Sequence, residues 1–253
     1  MAQSGYGRIR LFNDFCGPEI PIATAVAYGT TAGGCNYRLS PFTVHGDMAD
    51  TATGVIANAV GKVGGWARLC SSATTADGQG IWVGTELDFS PALTGPMVVE
   101  ARLEFPALTA RDCFVGFMGT LADAAAEPVT LTGTTLTKVA TNYCGFVLDS
   151  QLTAATEWHG VYSGGSTTGP TDTTEMDLDV NATAAASQVL RVEIDTNGTA
   201  RWYIDGELKQ TVVGAVSTTA RQAGGIGIWS TENTTGLVDM DYLAVEAERD
   251  WTV

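Results

Sequence analysis

The segment from Val189 to Leu208, VLRVEIDTNGTARWYIDGEL, restricts the fold of this chain more than any other stretch. Leu190, Val192 and Ile194 alternate with Arg191, Glu193 and Asp195, and Trp202 and Ile204 alternate with Arg201 and Tyr203. A period of two belongs to strands with one buried face. Setting Asp195 opposite Thr199 leaves a short loop in which Gly198 can adopt a left-handed conformation. In that register Val192 faces Trp202 and Leu190 faces Ile204, while Glu193 meets Arg201 and Arg191 meets Tyr203 on the other side. A two-residue Asn197–Gly198 turn shifts the pairing by one and sets apolar residues against polar ones. The Glu193–Arg201 pair contributes about 0.2–1 kcal/mol. Exposing the large apolar set costs about 2 kcal/mol per side chain, a sum that rivals the stability of a whole domain. Burial sets the register.

The pattern continues downstream. A loop over Asp205, Gly206 and Glu207 would place Ile204 opposite Leu208 and Tyr203 opposite Lys209. The run GGIGIW at 224–229 reads as a Gly-rich strand. Leu237 to Glu248 reads as a long last strand whose alternation changes phase near Tyr242–Leu243, the mark of a bulge. Upstream, strands are predicted over Thr53–Val60, Gly65–Cys70, Gly80–Phe89, Pro96–Phe105, Asp112–Gly119, Tyr143–Asp149 and Glu157–Tyr162. A single helical turn is expected at Ala122–Glu127, stopped by Pro128. Thr130–Thr141 reads as a loop or a mobile hairpin.

Residues 1–45 differ in character: short strand-like pieces, Pro18, Pro21 and Pro41, and Gly33–Gly34 suit an extended arm. The expected organisation is an N-terminal arm over 1–45 and a sandwich over 46–253. The docking residues of the arm are Arg8, Ile9, Arg10, Leu11, Phe12 and Phe15. Its apolar side chains require a surface, either the sandwich itself or a neighbouring subunit. Removing residues 2–20 is expected to leave a folded sandwich.

Thirteen Lys and Arg against 28 Asp and Glu give a net charge of −15 and no basic stripe. Direct nucleic-acid binding and attachment to an anionic membrane are disfavoured, because both need clustered cations. The apolar run from Ile20 to Tyr28 is too short to span a bilayer. No charged start followed by an apolar core opens the chain, so no secretory signal is read and folding in a cytoplasm is expected. Five widely spaced cysteines without a Cys-x-x-Cys read as reduced, buried hydrophobes rather than a disulfide or zinc framework. Only His45 and His159 are present, neither in a nucleophile signature, and no phosphate-binding glycine loop occurs. Trp158, Tyr162 and Trp229 are the aromatic candidates for stacking on a glycan, weighed against ordinary core packing.

The succession of strands ending in a WYIDG segment resembles the C-terminal half of the concanavalin A-like lectin/glucanase sandwich, including its laminin G-type members. The resemblance spans residues 80–250 and is sharpest over 189–247. It implies an all-β, two-sheet antiparallel jelly-roll sandwich, a fold that carries lectins, glycosidases, adhesion modules and virion proteins alike. Glucanases of this fold carry Glu-x-Asp-x-x-Glu or Glu-x-Asp-x-Glu. The nearest match here is Glu175-Met176-Asp177-Leu178-Asp179, with Asp in the last place. The same acids could bind Ca²⁺, as could Asp239 and Asp241, although a solvated acidic strand edge is the preferred account of them. The segment YGRIRLFNDFCGPEIPIA is similar to structural proteins of tailed bacteriophages, which implies a virion component, and acidity favours the outside of the particle over contact with packaged DNA. The expectation is therefore a non-enzymatic capsid decoration or cement protein on the capsid exterior, with no catalytic residue, metal or cofactor. Its partners would be the major capsid protein and its own copies in a homotrimer. A glycan-binding adhesion domain of a phage fibre or tail is the alternative, and an endoglycosidase using Glu175 and Asp179 the third reading.

Overall fold

Alternating burial organises the chain into two antiparallel eight-stranded sheets stacked face to face. The computed structural model describes residues 7–16, 37–39, 41–46, 56–59, 61–71, 80–109, 111–121, 127–175, 177–229 and 235–249. The first sheet runs in the order β16 (Glu207–Val212), β15 (Ala200–Ile204), β14 (Ser187–Ile194), β7 (Met97–Glu104), β18 (Leu237–Glu248), β5 (Ala67–Cys70) and β4 (Ile56–Asn58). A further strand, β1 (Arg8–Asn13), pairs with the C-terminal half of β18. The second sheet runs β13 (Asp177–Asn181), β12 (Glu157–Ser163), β11 (Tyr143–Asp149), β8 (Asp112–Met118), β17 (Ala223–Trp229), β6 (Gly80–Gly84), β3 (Phe42–Gly46) and β2 (Tyr37–Leu39). A separate hairpin, β9 (Val129–Thr132) with β10 (Thr135–Lys138), belongs to neither sheet. One helical turn, α1 (Pro91–Thr94), precedes β7.

The first hairpin has the expected register. Leu190 pairs with Ile204, Val192 with Trp202 and Glu193 with Arg201, and the Asp195 amide donates to the Thr199 carbonyl at 2.9 Å. Leu190, Val192, Ile194, Trp202 and Ile204 are each at most 2% exposed. They face Val115, Phe117, Phe146, Trp158 and Ile226 of the other sheet in one continuous core. The Trp202 indole N–H crosses the interlayer space to donate to the Gly145 carbonyl at 2.8 Å. Gly160 on the next strand leaves room for this ring, since a Cβ there would meet Leu178, Gln210 and the Trp202 nitrogen.

Two expectations need correction. Strand β15 turns into β16 through Asp205–Gly206 alone, so Ile204 pairs with Glu207 and Tyr203 with Leu208. Both turn residues have positive φ, 51° and 83°, the two-residue geometry whose twist matches that of paired strands. A bulge then restores the pairing at Trp202–Gln210. The Glu193–Arg201 ion pair does not form: Arg201 reaches Asp195 at 2.7 Å, and Glu193 is held by Arg191 at 2.7 Å. Of the two readings of the Thr-rich stretch the hairpin is present, over 129–138, and residues 177–181 form an acidic strand at the sheet edge. The expected bulge in the last strand is present between Met240 and Tyr242. The helical turn expected at 122–127 falls almost wholly outside the described residues.

The arm's surface is the sandwich itself. Along β1, Ile9 and Leu11 turn to the core while Arg8, Arg10 and Phe12 face outward. Phe15, with φ of 54°, is buried at 3%, and Phe12 lies 5.9 Å from the Tyr242 ring. The docking residues Arg8, Ile9, Arg10, Leu11, Phe12 and Phe15 thus close this molecule's own first sheet, and β2 and β3 extend the second. Deleting residues 2–20 should therefore destabilise the sandwich by roughly 3–5 kcal/mol, from one fully and two partly buried side chains at about 1.5–3 kcal/mol for full burial; urea denaturation checks this. Trp202→Ala should cost about 3–5 kcal/mol by the same measurement.

Burial of the cysteines yields a second prediction. Burial pushes the Cys70 thiol up to about 11 and raises Cys113 and Cys144 further, whereas Cys16 is exposed. In a Cys35→Ser background at pH 8, a thiol reagent should label Cys16 in the native state and reach the other three only on unfolding.

Candidate functional site

The sandwich presents two outer faces, and they are closed by different chemistry. On the first sheet the residues between the core positions are charged and lie side by side across strands. Arg8 pairs with Glu248, Arg10 with Glu246, Lys62 with Glu104, Arg102 with Asp241, and Arg191 with both Glu100 and Glu193. Arg68 grips the buried Asp239 through two bonds of 2.6 and 2.8 Å. With Arg201 and Lys209, eight of the 13 basic residues of the chain pair with carboxylates on or beside this sheet. Exposed pairs of this kind contribute about 0–1 kcal/mol each, so the lattice sets surface polarity more than stability. Asp239 and Asp241, weighed above as Ca²⁺ ligands, are occupied by Arg68 and Arg102.

The outer face of the second sheet is apolar and covered. Trp82, Phe114 and Trp229 lie across glycines of their own or neighbouring strands: a Cβ at Gly84 or Gly225 would strike the Trp82 ring, and one at Gly145 the Phe114 ring. The same holds for Trp229 over Gly80 and Gly227. The β9–β10 hairpin lays Val129, Leu131 and Leu136 over this surface, forming a second hydrophobic cluster with Tyr143, Val147 and Val161.

These two closures decide the fate of the aromatic candidates. Trp158 and Tyr162 point into the core between the sheets, where the Trp158 N–H donates to Gln188 at 2.9 Å and Tyr162 lies 5.9 Å from Trp202. Trp229 lies on the opposite face of its sheet but is 1% exposed. None of the three offers a ring face to a glycan in this state, so core packing is the correct account of them.

The acidic motif also separates. Glu175 ends a short 3₁₀ turn and its carboxylate accepts the Thr171 amide at 2.9 Å. Asp177 and Asp179 lie on edge strand β13, where the Asp179 amide donates to the Asp177 carboxylate at 2.7 Å. The carboxyl that meets Asp177 is Glu157, from the neighbouring strand. Partial burial, then the nearby Asp177 charge and their hydrogen bond, hold Glu157 above its usual range. Buried His159, opposite Asp177, is held low by burial. Two residues twenty positions apart make this pair, which no linear motif could indicate. Glu175 and Asp179 lie on different elements with different partners, and no group of three or more His, Cys, Asp or Glu among the described residues could hold a metal ion.

An open depression lies at the end of the sandwich where α1 meets the segment leading into β17. It has a volume of about 300 Å³ and is lined by Asp88, Ser90, Leu93, Thr94, Thr219 and Arg221. Its frame is firm. Phe89 and Gln222 exchange backbone bonds of 3.1 and 2.7 Å, and the Thr218 carbonyl accepts from the Ala92 amide at 2.8 Å and the Ser90 hydroxyl at 3.0 Å. Thr94 closes the helical turn by donating to the Ser90 carbonyl at 3.0 Å. Leu93 is 49% exposed. Asp88 and Arg221 are both exposed and form no ion pair with each other, which leaves an acceptor and a donor facing a concave, partly apolar surface. The sequence held no signal for this site, because its residues come from two segments more than a hundred positions apart.

No known family profile matches the chain, and no curated protein sequence does either. Solved structures do. A protein of unknown function from Shewanella oneidensis MR-1, SO2946, superposes with a TM-score of 0.55 at 11% identity, over 98% of this chain and 89% of that one. A Bacillus licheniformis β-glucanase gives 0.50 at 12% identity over 96% and 99%. The alginate lyase Aly36B gives 0.50 at 12% identity over 96% and 97%. At such identities the likeness is one of fold. It nevertheless overturns the expectation of a non-enzymatic protein, since that expectation leaned on the architecture and two chains of this architecture are enzymes. The chain has the concanavalin A-like jelly-roll fold.

Proposed function

We propose that this chain is a carbohydrate-binding sandwich, serving as an adhesion domain of a phage fibre or tail, with the Asp88–Arg221 depression as its contact site. The observation that carries the reading is the combination of groups in that depression. A saccharide ring presents hydroxyls that both donate and accept, and a C–H face that is apolar. Asp88 accepts, Arg221 donates, the Ser90 and Thr94 oxygens, whose protons go to the Thr218 and Ser90 carbonyls, can only accept, Thr219 can do either, and the exposed Leu93 side chain meets the C–H face. The volume sits at the lower end of small-ligand pockets, in keeping with one or two sugar units. Two proteins of similar fold bear the names of polysaccharide-degrading enzymes, which supports the ligand class.

The shell-binding alternative rested on an arm free to reach a major capsid protein. Ile9, Leu11 and Phe15 pack against the core of this molecule, which supports glycan contact as the leading reading. The phage setting derives from the resemblance of the N-terminal segment.

A glycan array with the purified protein should show retention of a subset of hydroxyl-rich oligosaccharides. Asp88→Asn and Arg221→Ala should each weaken that binding by roughly tenfold or more, the scale of one charged hydrogen bond, at unchanged melting temperature. Retention of no glycan, or equal binding by both variants, would remove this reading. Co-sedimentation with purified capsids without any glycan requirement would restore the decoration role.

A further inference from the structure

Asp112 opens β8 on the outer face of the second sheet, and Glu127 stands at the base of the β9–β10 hairpin just before Pro128. Both are buried, at 2% and 9% exposure; Asp112 Oδ2 meets no N–H or O–H donor, and the side chain set to bond Asp112 is the Glu127 carboxyl. Two ionised carboxylates cannot make that bond, because each oxygen would then be an acceptor only. One proton must lie between them, as in carboxyl dyads elsewhere.

The surroundings favour keeping it. Asp149 stands opposite Asp112 on β11 and adds a third acidic group, its Oδ1 accepting the Gln151 amide at 2.7 Å. Trp229 of β17 flanks Asp112 on the other side. Arg111 is buried on the same strand: it donates to the Ala155 carbonyl at 2.6 Å, sits 5.6 Å from the Phe105 ring, and exchanges charge attraction with Asp149 rather than with the Asp112–Glu127 pair. Among the described residues Cys113 is a further titratable neighbour, a neutral thiol on the opposite face of the strand. Burial first, then the bond to Glu127 and the charges of Glu127 and Asp149, hold the Asp112 carboxyl well above the ordinary range.

The geometry points to a proton latch: Asp112 and Glu127 share one proton, and that shared proton clamps the base of the β9–β10 hairpin onto the second sheet. The tip of the hairpin is held independently by backbone bonds that do not titrate, from Gly133 to Gln151 at 3.0 Å, from Thr153 to Gly133 at 2.8 Å and from Thr173 to Thr134 at 3.1 Å. Loss of the proton to solvent leaves two like charges in contact inside an apolar cluster. The base then lifts and hydrates them while the tip stays attached. Because the Asp112 value in the folded chain lies above that in the unfolded chain, the latch is complete at acid pH. It weakens as pH rises through the folded value.

Hydrogen exchange of the Val129–Leu131 amides between pH 5 and pH 9, corrected for intrinsic rates, reads the latch directly. Protection in the wild-type chain should fall by roughly tenfold or more across that range while amides of β14 and β15 stay protected. Asp112→Asn cannot ionise and can still donate to Glu127, so it should abolish the pH dependence. Isotope-edited infrared spectroscopy of the wild-type chain at neutral pH should show a protonated-carboxyl band, which needs no variant to fold. Protection independent of pH, no protonated carboxyl at neutral pH, or an Asp112→Asn profile that follows the wild type would each overturn the proposal.

Discussion

Everything in this molecule depends on the desolvation of one apolar sheet face against another. Leu190, Val192, Ile194, Trp202 and Ile204 can be buried only if β14 and β15 pair in a single register. At about 2 kcal/mol per side chain, a slip by one residue would forfeit more than any polar contact on the other face could return. The indole N–H of Trp202 meets the Gly145 carbonyl across the layers and so avoids the penalty of a buried donor without a partner. Closure of the last strand by β1 follows from the same demand. Val245 and Ala247 need cover, and Ile9, Leu11 and Phe15 supply it.

With the interior filled, the two outer faces had different tasks. The first sheet gathers most of the cations into an ordered lattice with carboxylates, which leaves the chain's excess negative charge, −15 in all, for other surfaces. The second sheet carries a layer of aromatic rings resting on glycines under a hairpin cover, with a carboxyl pair at its margin. The aromatic candidates Trp158, Tyr162 and Trp229 are all covered, and the exposed ring on the first sheet is Phe12, stacked beside Tyr242. The concave surface that does present polar groups and an exposed leucine lies at the end of the sandwich, where connecting segments meet and where a rigid scaffold commonly carries its binding residues.

Much of the fold was legible in the residues. Strict alternation in 97–105 and 189–204 gave strand, face and register together, because burial admits one solution. The turn at Asp205–Gly206 was misread because alternation does not distinguish loop lengths when a bulge can restore the pairing. The surface that receives the arm was not legible for a related reason. Its apolar side chains announced a need for cover, but a six-residue strand does not say whose sheet it joins. The site was not legible at all. Asp88 and Arg221, like Glu157 and Asp177 or Asp112 and Glu127, are brought together by topology. Each pair spans separate strands or loops, so no spacing in the sequence encodes it. Aromatic candidates chosen by residue type alone turned out to be core, since a large ring buries apolar area wherever the fold has room.

The central functional claim concerns place: binding at the Asp88–Arg221 end of the sandwich, away from the sheet faces. Amide chemical-shift mapping with an oligosaccharide retained by the protein tests it most directly. The account predicts shifts confined to residues 88–94 and 217–222. Shifts centred on Trp82, Phe114 and Trp229, with the Asp88 and Arg221 amides unmoved, would contradict it.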